Sequence, residues 1–176
     1  MKLSLPLIFA AIICVAASCK KSDVPVDTLP KISPVEADAV NSKTNLDNAV
    51  LLKLVNDTRS AGCTCGSTVM PPVPPLSWNH LLTAAAINQA SYMATAKALT
   101  HASSNGGSVG DRVTATGYRW RAVGENIAVG QKNEQEVFNA WLKSEGHCKN
   151  IMNAAFKEMG AAKADSYWSQ VFGAAL

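Results

Sequence analysis

Charged residues are scarce in this chain, where Lys, Arg, Asp and Glu together make up 16% of the 176 residues. The formal charge is only +3, and no basic cluster is longer than the pair Lys20–Lys21. A nucleic-acid partner is therefore excluded, because such binding needs a basic patch or stripe on the protein. Long apolar runs are also missing apart from one at the N-terminus, which excludes a protein with several membrane spans.

The N-terminal segment is typical of an export signal. A positive residue, Lys2, precedes an apolar run at 3–15, and small residues follow at 16–18. The sequence from Val15 to Cys19 resembles a bacterial lipobox, whose cysteine becomes the lipidated N-terminus after cleavage. We therefore predict a lipoprotein signal peptide at 1–18, lipidation at Cys19, and a membrane anchor in the cell envelope, periplasmic or surface-exposed. If Cys19 is not lipidated, the signal predicts a secreted protein.

One folded domain is predicted after a linker. Residues 19–45 are polar, contain three prolines and show no apolar periodicity, which is typical of a flexible tether. Residues 46–176 then form one domain, because hydrophobic residues at 48% of the chain supply a buried core.

Apolar periodicity and turn residues predict helices around a small sheet. The first helix has Asn45 as its N-cap and ends at Gly62, and a loop follows at 63–76. Helices flanking a small sheet indicate an α+β fold or a three-layer sandwich. The other predicted elements are helices at about 77–99, 111–116 and 134–145 and strands at 123–129, 159–164 and 167–172.

Three residues are candidates for chemistry. Glu125 interrupts an otherwise apolar strand, and burying a carboxylate is costly without a partner, so we predict an imidazole or a metal-bound water beside it. His101 and His147 lie in or beside Gly/Ser-rich loops. Two imidazoles and a carboxylate brought together by folding make a workable zinc or general-base site. A structural hydrogen-bond network is the alternative, because the sequence separations carry no local geometry.

Seven short motifs occur in an order that resembles the CAP superfamily of cysteine-rich secretory proteins, venom antigens, plant pathogenesis-related proteins and bacterial relatives. The similarity covers residues 46–173. It implies an α+β fold, a three-layer α-β-α sandwich with a central antiparallel sheet and a shallow cleft on one face. The motifs are Asn56–Arg59, Pro75–Asn79, Thr100–His101, Gly117–Tyr118, Gly124–Ala128, Trp141–His147 and Tyr167–Phe172.

The resemblance also assigns a site. The family cleft holds two histidines and acidic residues, and the motifs place His101, Glu125 and His147 there. The second acidic position is Ser144 in this chain, so Glu145 is the nearest carboxylate. Glu145 converges on the cleft only if the helix breaks at Gly146. The implied cofactor is Zn²⁺ or another divalent cation at His101 and His147.

The leading functional prediction is an extracytoplasmic, membrane-anchored domain whose cleft binds an envelope ligand, which is a lipid, a peptide, a glycan or a protein. Two alternatives stay open, and whether the protein is an enzyme is left undecided. One alternative is an envelope hydrolase in which Glu125 or a histidine activates water. The other is a protein-protein interaction module that uses the loops at 63–76 and 101–110 without catalysis.

The cysteines of the exported chain predict a disulfide, because an oxidising compartment favours one. A bridge between Cys63 and Cys65 would close a very small, strained loop. We therefore predict a bridge from Cys63 or from Cys65 to Cys148. A metal site formed by these three cysteines with His147 is the alternative.

Overall fold

The computed structural model describes residues 34–176. The predicted signal peptide, the predicted lipidation site Cys19 and most of the predicted tether lie outside the described residues. No helix within 34–176 is both long and apolar enough to cross a membrane. The described elements are α1 (Pro34–Asn41), α2 (Asn48–Ala61), β1 (Cys63–Cys65), β2 (Thr68–Met70), β3 (Ser77–Trp78), α3 (His80–Ala96), α4 (Val109–Ala115), β4 (Trp120–Val129), α5 (Glu134–Lys143), α6 (Glu145–Ile151), β5 (Glu158–Ala164) and β6 (Tyr167–Ala175).

A four-stranded sheet with the order β3-β5-β6-β4 forms the centre of the domain. Strand β6 pairs antiparallel with both β4 and β5. The two-residue β3 runs parallel to β5 at the other edge. The predicted α+β class and its antiparallel sheet are thus confirmed, with β3 as a short parallel addition.

Each face of the sheet carries its own apolar core, because successive side chains of a strand point to opposite faces. Phe172 of β6 belongs to a cluster with Val55 of α2 and Trp141 of α5. Its neighbour Val171 belongs to a second cluster with Leu82 of α3 and further residues of α3 and α4. Helices α2, α5 and α6 therefore cover one face and α3 and α4 cover the other, which gives the three layers.

The layer of α3 lies unusually close to the sheet. A Cβ atom at Gly160 of β5 would lie 2.2 Å from the backbone nitrogen of Thr83 in α3. Only glycine fits at such a distance. The small residues Ala86 and Ala90 of α3 are fully buried in the same cluster, so the helix backbone approaches the sheet closely there, and the larger Leu82 also packs into this cluster.

The first helix of the predicted domain begins later than expected. Asp47, not Asn45, is the N-cap of α2, and its carboxylate accepts hydrogen bonds from the backbone N–H groups of Ala49 and Val50. Asn45 has a φ of 56° and lies in the preceding turn. The predicted end of the helix at Gly62 agrees with the structure.

The prediction of a flexible tether up to residue 45 is wrong for its last part. Residues 34–41 form α1, and the indole N–H of Trp78 donates to Oδ1 of Asn41 at 3.1 Å. Thr44 is buried, and its carbonyl accepts the backbone N–H of Lys163 at 2.8 Å. Composition alone missed these contacts because they join the segment to strands that follow much later in the chain.

Two further predicted elements differ from the structure: one helix is divided into two, and one loop contains a hairpin. The helix predicted at 134–145 ends at Lys143, because Ser144 has an extended backbone (ψ 119°), and α6 starts at Glu145. Gly146 lies inside α6 rather than at the break. The predicted loop at 63–76 contains the β1–β2 hairpin, which turns at Gly66 with a φ of 59°.

Candidate functional site

The candidate site lies at the β4 edge of the sheet, where segments from the two helical layers meet. Glu125 and Asn126 are consecutive residues of β4, so their side chains project to opposite faces. Glu125 faces the α3–α4 layer and reaches the loop that carries His101. Asn126 faces α6 and bonds to the backbone of His147.

The carboxylate of Glu125 is buried, with only 1% of its side chain exposed, and both of its oxygens have partners. Oε1 accepts from Nη2 of Arg112 at 2.6 Å and from the hydroxyl of Ser169 at 3.1 Å. Oε2 lies 2.8 Å from Nδ1 of His101. These three partners offset the cost of removing the carboxylate from water. The predicted imidazole partner of Glu125 is therefore present in the structure.

Two buried side chains, Gln89 and Arg112, hold the loop around His101 in place. Nε2 of Gln89 donates to the carbonyls of Thr100 and Ala102, which flank His101. Nη1 of Arg112 donates to the carbonyl of His101 at 2.9 Å and to the hydroxyl of Ser103 at 2.8 Å. The backbone is therefore fixed while 58% of the His101 side chain stays exposed. Since Nδ1 faces the carboxylate, a neutral imidazole here keeps its lone pair on Nε2.

His147 is positioned through its backbone. The amide of Asn126 donates to the carbonyl of His147 at 3.2 Å and to Oε1 of Gln170 at 3.1 Å. Asn150 in turn donates to Oδ1 of Asn126 at 2.9 Å. Burial lowers the pKa of His147, and the nearby His101 imidazole lowers it further. Both effects disfavour the charged imidazolium form of His147.

The histidines and Glu125 do not form a closed metal cage. Within residues 34–176, the only His, Cys, Asp or Glu side chains whose ligand atoms gather in threes within 4.8 Å are Cys63, Cys65 and Cys148. His101 and His147 offer two imidazole nitrogens, one fewer than the three protein ligands of a catalytic zinc site, so a cation held by them would need further ligands from outside the chain.

Glu145 lies apart from this pair. It is the first residue of α6, and its Oε1 pairs with Nζ of Lys149 at 2.6 Å. Its carboxylate also packs against Gly66 in the turn of the hairpin. The early break at Ser144 thus directs Glu145 toward the β1–β2 hairpin, and the structure does not bring it to the His101–Glu125 pair.

A disulfide joins Cys65 of the hairpin to Cys148 of α6. Of the two bridges left open by the sequence, the structure contains the one from Cys65. The sulfur of the free Cys63 lies 3.8 Å from that of Cys65 and 3.7 Å from that of Cys148, and burial raises the pKa of its thiol. In this oxidised form two of the three sulfurs are bonded to each other, so the predicted cysteine metal site is not formed. The bridge instead anchors α6 one residue after His147.

The residues that orient the site escaped the sequence analysis. Arg112 lies in none of the seven motifs, and Ser169 lies in one that does not indicate its partner. Both contact Glu125, which is 13 and 44 residues away from them. Gln89 did carry one. It follows Ala86 by three residues and precedes Met93 by four on the buried stripe of α3, where a polar side chain needs a partner.

A family model described as the cysteine-rich secretory protein (CAP) family matches residues 52–172. Two proteins of Bacillus subtilis (strain 168) are similar in sequence. YkwD is 37% identical over 100 residues, which are 56% of this chain and 39% of YkwD. The membrane protein YlbC is 28% identical over 97 residues, which are 55% of this chain and 28% of YlbC. The aligned part is thus well under half the length of either relative.

Solved structures show the same fold. An extracellular protein with an SCP domain from Bacillus anthracis superposes with a TM-score of 0.64 and 26% identity, over 81% of this chain and 44% of that one. An outer surface protein from Borrelia burgdorferi gives a TM-score of 0.63 and 18% identity, over 73% of this chain and 92% of that one.

Proposed function

The chain belongs to the cysteine-rich secretory protein (CAP) family, and from this premise we propose that it is an extracytoplasmic binding domain. Its ligand site is the cleft of His101, Glu125 and His147, where a divalent cation such as Zn²⁺ joins the two imidazoles to a ligand from the cell envelope. The ligand completes the coordination of the cation.

The observation that carries this proposal is the pairing of a buried carboxylate with an exposed imidazole. The N–H of the second ring nitrogen of a metal-binding histidine usually donates a hydrogen bond to a carboxylate or a carbonyl, which fixes the tautomer and raises the basicity of the ligand nitrogen. Glu125 and Nδ1 of His101 have this relationship at 2.8 Å. A purely structural Glu125–Arg112 ion pair would not require an imidazole that is mostly in solvent.

Zn²⁺ in this cleft would supply a Lewis acid that binds an oxygen or nitrogen atom of the ligand. The chain's own residues would position it. Glu125 orients His101, Arg112 and Gln89 hold the His101 loop, and Asn126 holds the start of α6 at His147. A hydrolase that uses Glu125 as its general base receives less support, because both carboxylate oxygens already have partners.

The proposed location is outside the cytoplasm, with a lipid anchor at Cys19. The N-terminal apolar run and the small residues before Cys19 support this part of the proposal. The similar structures come from a protein described as extracellular and from one described as an outer surface protein. A mass spectrum of the membrane fraction that shows an intact, unlipidated Cys19 would contradict the anchor.

Calorimetric titration of the full chain with Zn²⁺ tests the cleft. We expect binding at one site in the micromolar range, lost in the double variant His101→Ala/His147→Ala. The third histidine provides the matched control, because His80→Ala removes an imidazole at the start of α3 and should leave binding unchanged. Binding that survives the double variant, or no binding by the unmodified chain, would refute the proposed cation site.

A further inference from the structure

Three sulfur atoms lie together where the β1–β2 hairpin meets α6. The sulfur of Cys63 is 3.8 Å from that of Cys65 and 3.7 Å from that of Cys148, and the last two form the disulfide. Among residues 34–176, no other three His, Cys, Asp or Glu side chains bring their ligand atoms within 4.8 Å of one another. Neither His101 nor Glu125 belongs to this cluster, so it is separate from the cleft.

The hairpin presents two of the three sulfurs to α6. Cys63 and Cys65 are alternate residues of β1, so their side chains point to the same side, and the intervening Thr64 is exposed. Cys65 and Cys148 are fully buried, whereas Cys63 is partly exposed. The cluster is therefore closed on the side of the core and meets solvent on the side of Cys63.

The disulfide does not explain the position of Cys63. The sulfur of Cys63 is almost equally far from the two bonded sulfurs, so it lies beside their bond rather than in line with it. Thiol–disulfide exchange needs a thiolate that attacks one sulfur from behind the bond, and Cys63 is not placed for such an attack. A third sulfur at equal distances from two others instead matches three ligands around one centre.

The separations between the sulfurs fit zinc. A Zn–S bond is about 2.3 Å long, so two sulfurs bound tetrahedrally to one Zn²⁺ lie about 3.8 Å apart. Two of the three separations, 3.7 and 3.8 Å, already have this length. The third requires the bond between Cys65 and Cys148 to open. Their Cα atoms are 5.4 Å apart, and rotation about the Cα–Cβ bonds can separate the two sulfurs while the backbone stays in place.

We propose that reduction of the Cys65–Cys148 bridge converts the three cysteines into a Zn²⁺ site. A dithiol reductant supplies two electrons and two protons. Its two S–H bonds break and its own disulfide forms, while the bridge opens and two thiols form. Zn²⁺ then displaces the three thiol protons and is held by three thiolates, with a water molecule in the fourth position on the side of Cys63.

The zinc site and the disulfide exclude each other, because the sulfurs of Cys65 and Cys148 take part in both. Each of them ties the hairpin to α6, so the bound ion replaces the lost covalent link. The redox state of the bridge thus decides whether the domain binds this ion. The site uses no imidazole, so it stands or falls independently of the proposed cation cleft.

Titration of the reduced full chain with Co²⁺ tests this site, because Co²⁺ bound by thiolates has a near-ultraviolet charge-transfer band that imidazole ligands do not give. The protein carries Cys14→Ser and Cys19→Ser, which leave the three clustered cysteines as its only thiols. A phosphine opens the bridge and is removed before Co²⁺ is added under nitrogen. We expect a saturable band at one ion per chain, which Zn²⁺ abolishes because it binds such a site more tightly than Co²⁺. The oxidised protein should give no band.

A displaced thiol provides the matched control. Cys63→Ser combined with Ser91→Cys keeps the number of thiols but moves one to an exposed position of α3, on the other face of the sheet. We expect this protein to bind Co²⁺ at least about tenfold more weakly, because one of three ligands is lost. Ser91→Cys alone should leave the affinity unchanged.

Circular dichroism of the reduced, metal-free proteins should show that the fold is kept. Unfolding on reduction, or a bridge that the phosphine does not open in the folded protein, would overturn the proposal. The absence of a charge-transfer band, or an unchanged affinity when the thiol of Cys63 is moved, would also overturn it.

Discussion

Nδ1 of His101 lies 2.8 Å from Oε2 of Glu125, which joins a mostly exposed imidazole to a carboxylate that is almost completely buried. The buried partner is rigid because Arg112 and Ser169 hold its other oxygen. The exposed partner is free to meet a ligand. This division between a fixed buried group and an accessible ring is the basis of the first prediction.

Glu125→Gln should lower both stability and cation affinity. The substitution leaves the buried guanidinium of Arg112 without a counter-charge, which costs about 3 kcal/mol in the free energy of unfolding. It also removes the carboxylate that orients His101, and we expect zinc affinity to fall at least about tenfold. Urea denaturation and calorimetry measure the two effects.

Ser169→Ala is the control. It keeps both charges and should lower the free energy of unfolding by only about 1 kcal/mol. A Glu125→Gln protein as stable as the unmodified chain would contradict the geometry.

The stability of the metal-free protein should decrease as the pH falls below the ordinary histidine pKa of 6.5. The pKa of His147 is lower in the folded state, first through burial and then through His101. The unfolded chain therefore binds more protons below pH 6.5, and stability rises with pH across this window. His147→Gln should flatten the dependence of the free energy of unfolding between pH 7 and 5, measured in EDTA.

Direct titration of the His147 ring by NMR gives an independent check. The midpoint should lie below 6.5 and should rise in His101→Gln, because that variant removes the repulsion from the second imidazole while the burial of His147 remains. A midpoint at or above 6.5 in the unmodified protein would show that the ring is not desolvated as described.

Arg59→Met should be strongly destabilising although Arg59 is remote from the candidate site. Its guanidinium is fully buried, donates to the carbonyls of Pro74, Ile151, Asn153 and Phe156, and has its pKa lowered by burial to about 10. Methionine fills similar space but leaves these acceptors unpaired, so we expect a loss of about 3–5 kcal/mol in urea denaturation. The exposed Arg119→Met is the control and should change stability by less than about 0.5 kcal/mol.

Peptide mapping of the oxidised protein after alkylation should find Cys63 alkylated and Cys65 linked to Cys148. The bridge spans 83 residues, and Cys65→Ser should lower stability by about 4 kcal/mol on the chain-entropy account of disulfides. Cys63→Ser keeps the bridge and should have little effect. A Cys63–Cys148 bridge in the unmodified protein would contradict the assignment.

The fold class and the three candidate site residues could be predicted from the sequence. The side chains that hold those residues in place could not. His101, Glu125 and His147 lie in motifs of adjacent residues that can be recognised one by one. Gln89 and Arg112 donate to backbone carbonyls of a loop 11–13 residues away, and the helical periodicity that marks Gln89 as buried does not identify these partners.

The missed segment boundaries have a similar cause. α1 was assigned to the tether because its stabilising contact, from Trp78 to Asn41, joins positions 37 residues apart. The break between α5 and α6 depends on the extended backbone of Ser144, where the amphipathic pattern continues without interruption. Local pattern predicts elements well, whereas their ends depend on tertiary partners.

The two imidazoles belong to segments that pack on opposite faces of the sheet. The loop of His101 is held by the α3–α4 layer, and His147 lies in α6, which belongs to the other layer. Unfolding of either helical layer would therefore separate the two imidazoles. Binding of the proposed cation would therefore be coupled to assembly of the whole domain, and it would slow hydrogen exchange in both cores together. Occupancy of the proposed site at the edge of β4 would then report on global rather than local folding.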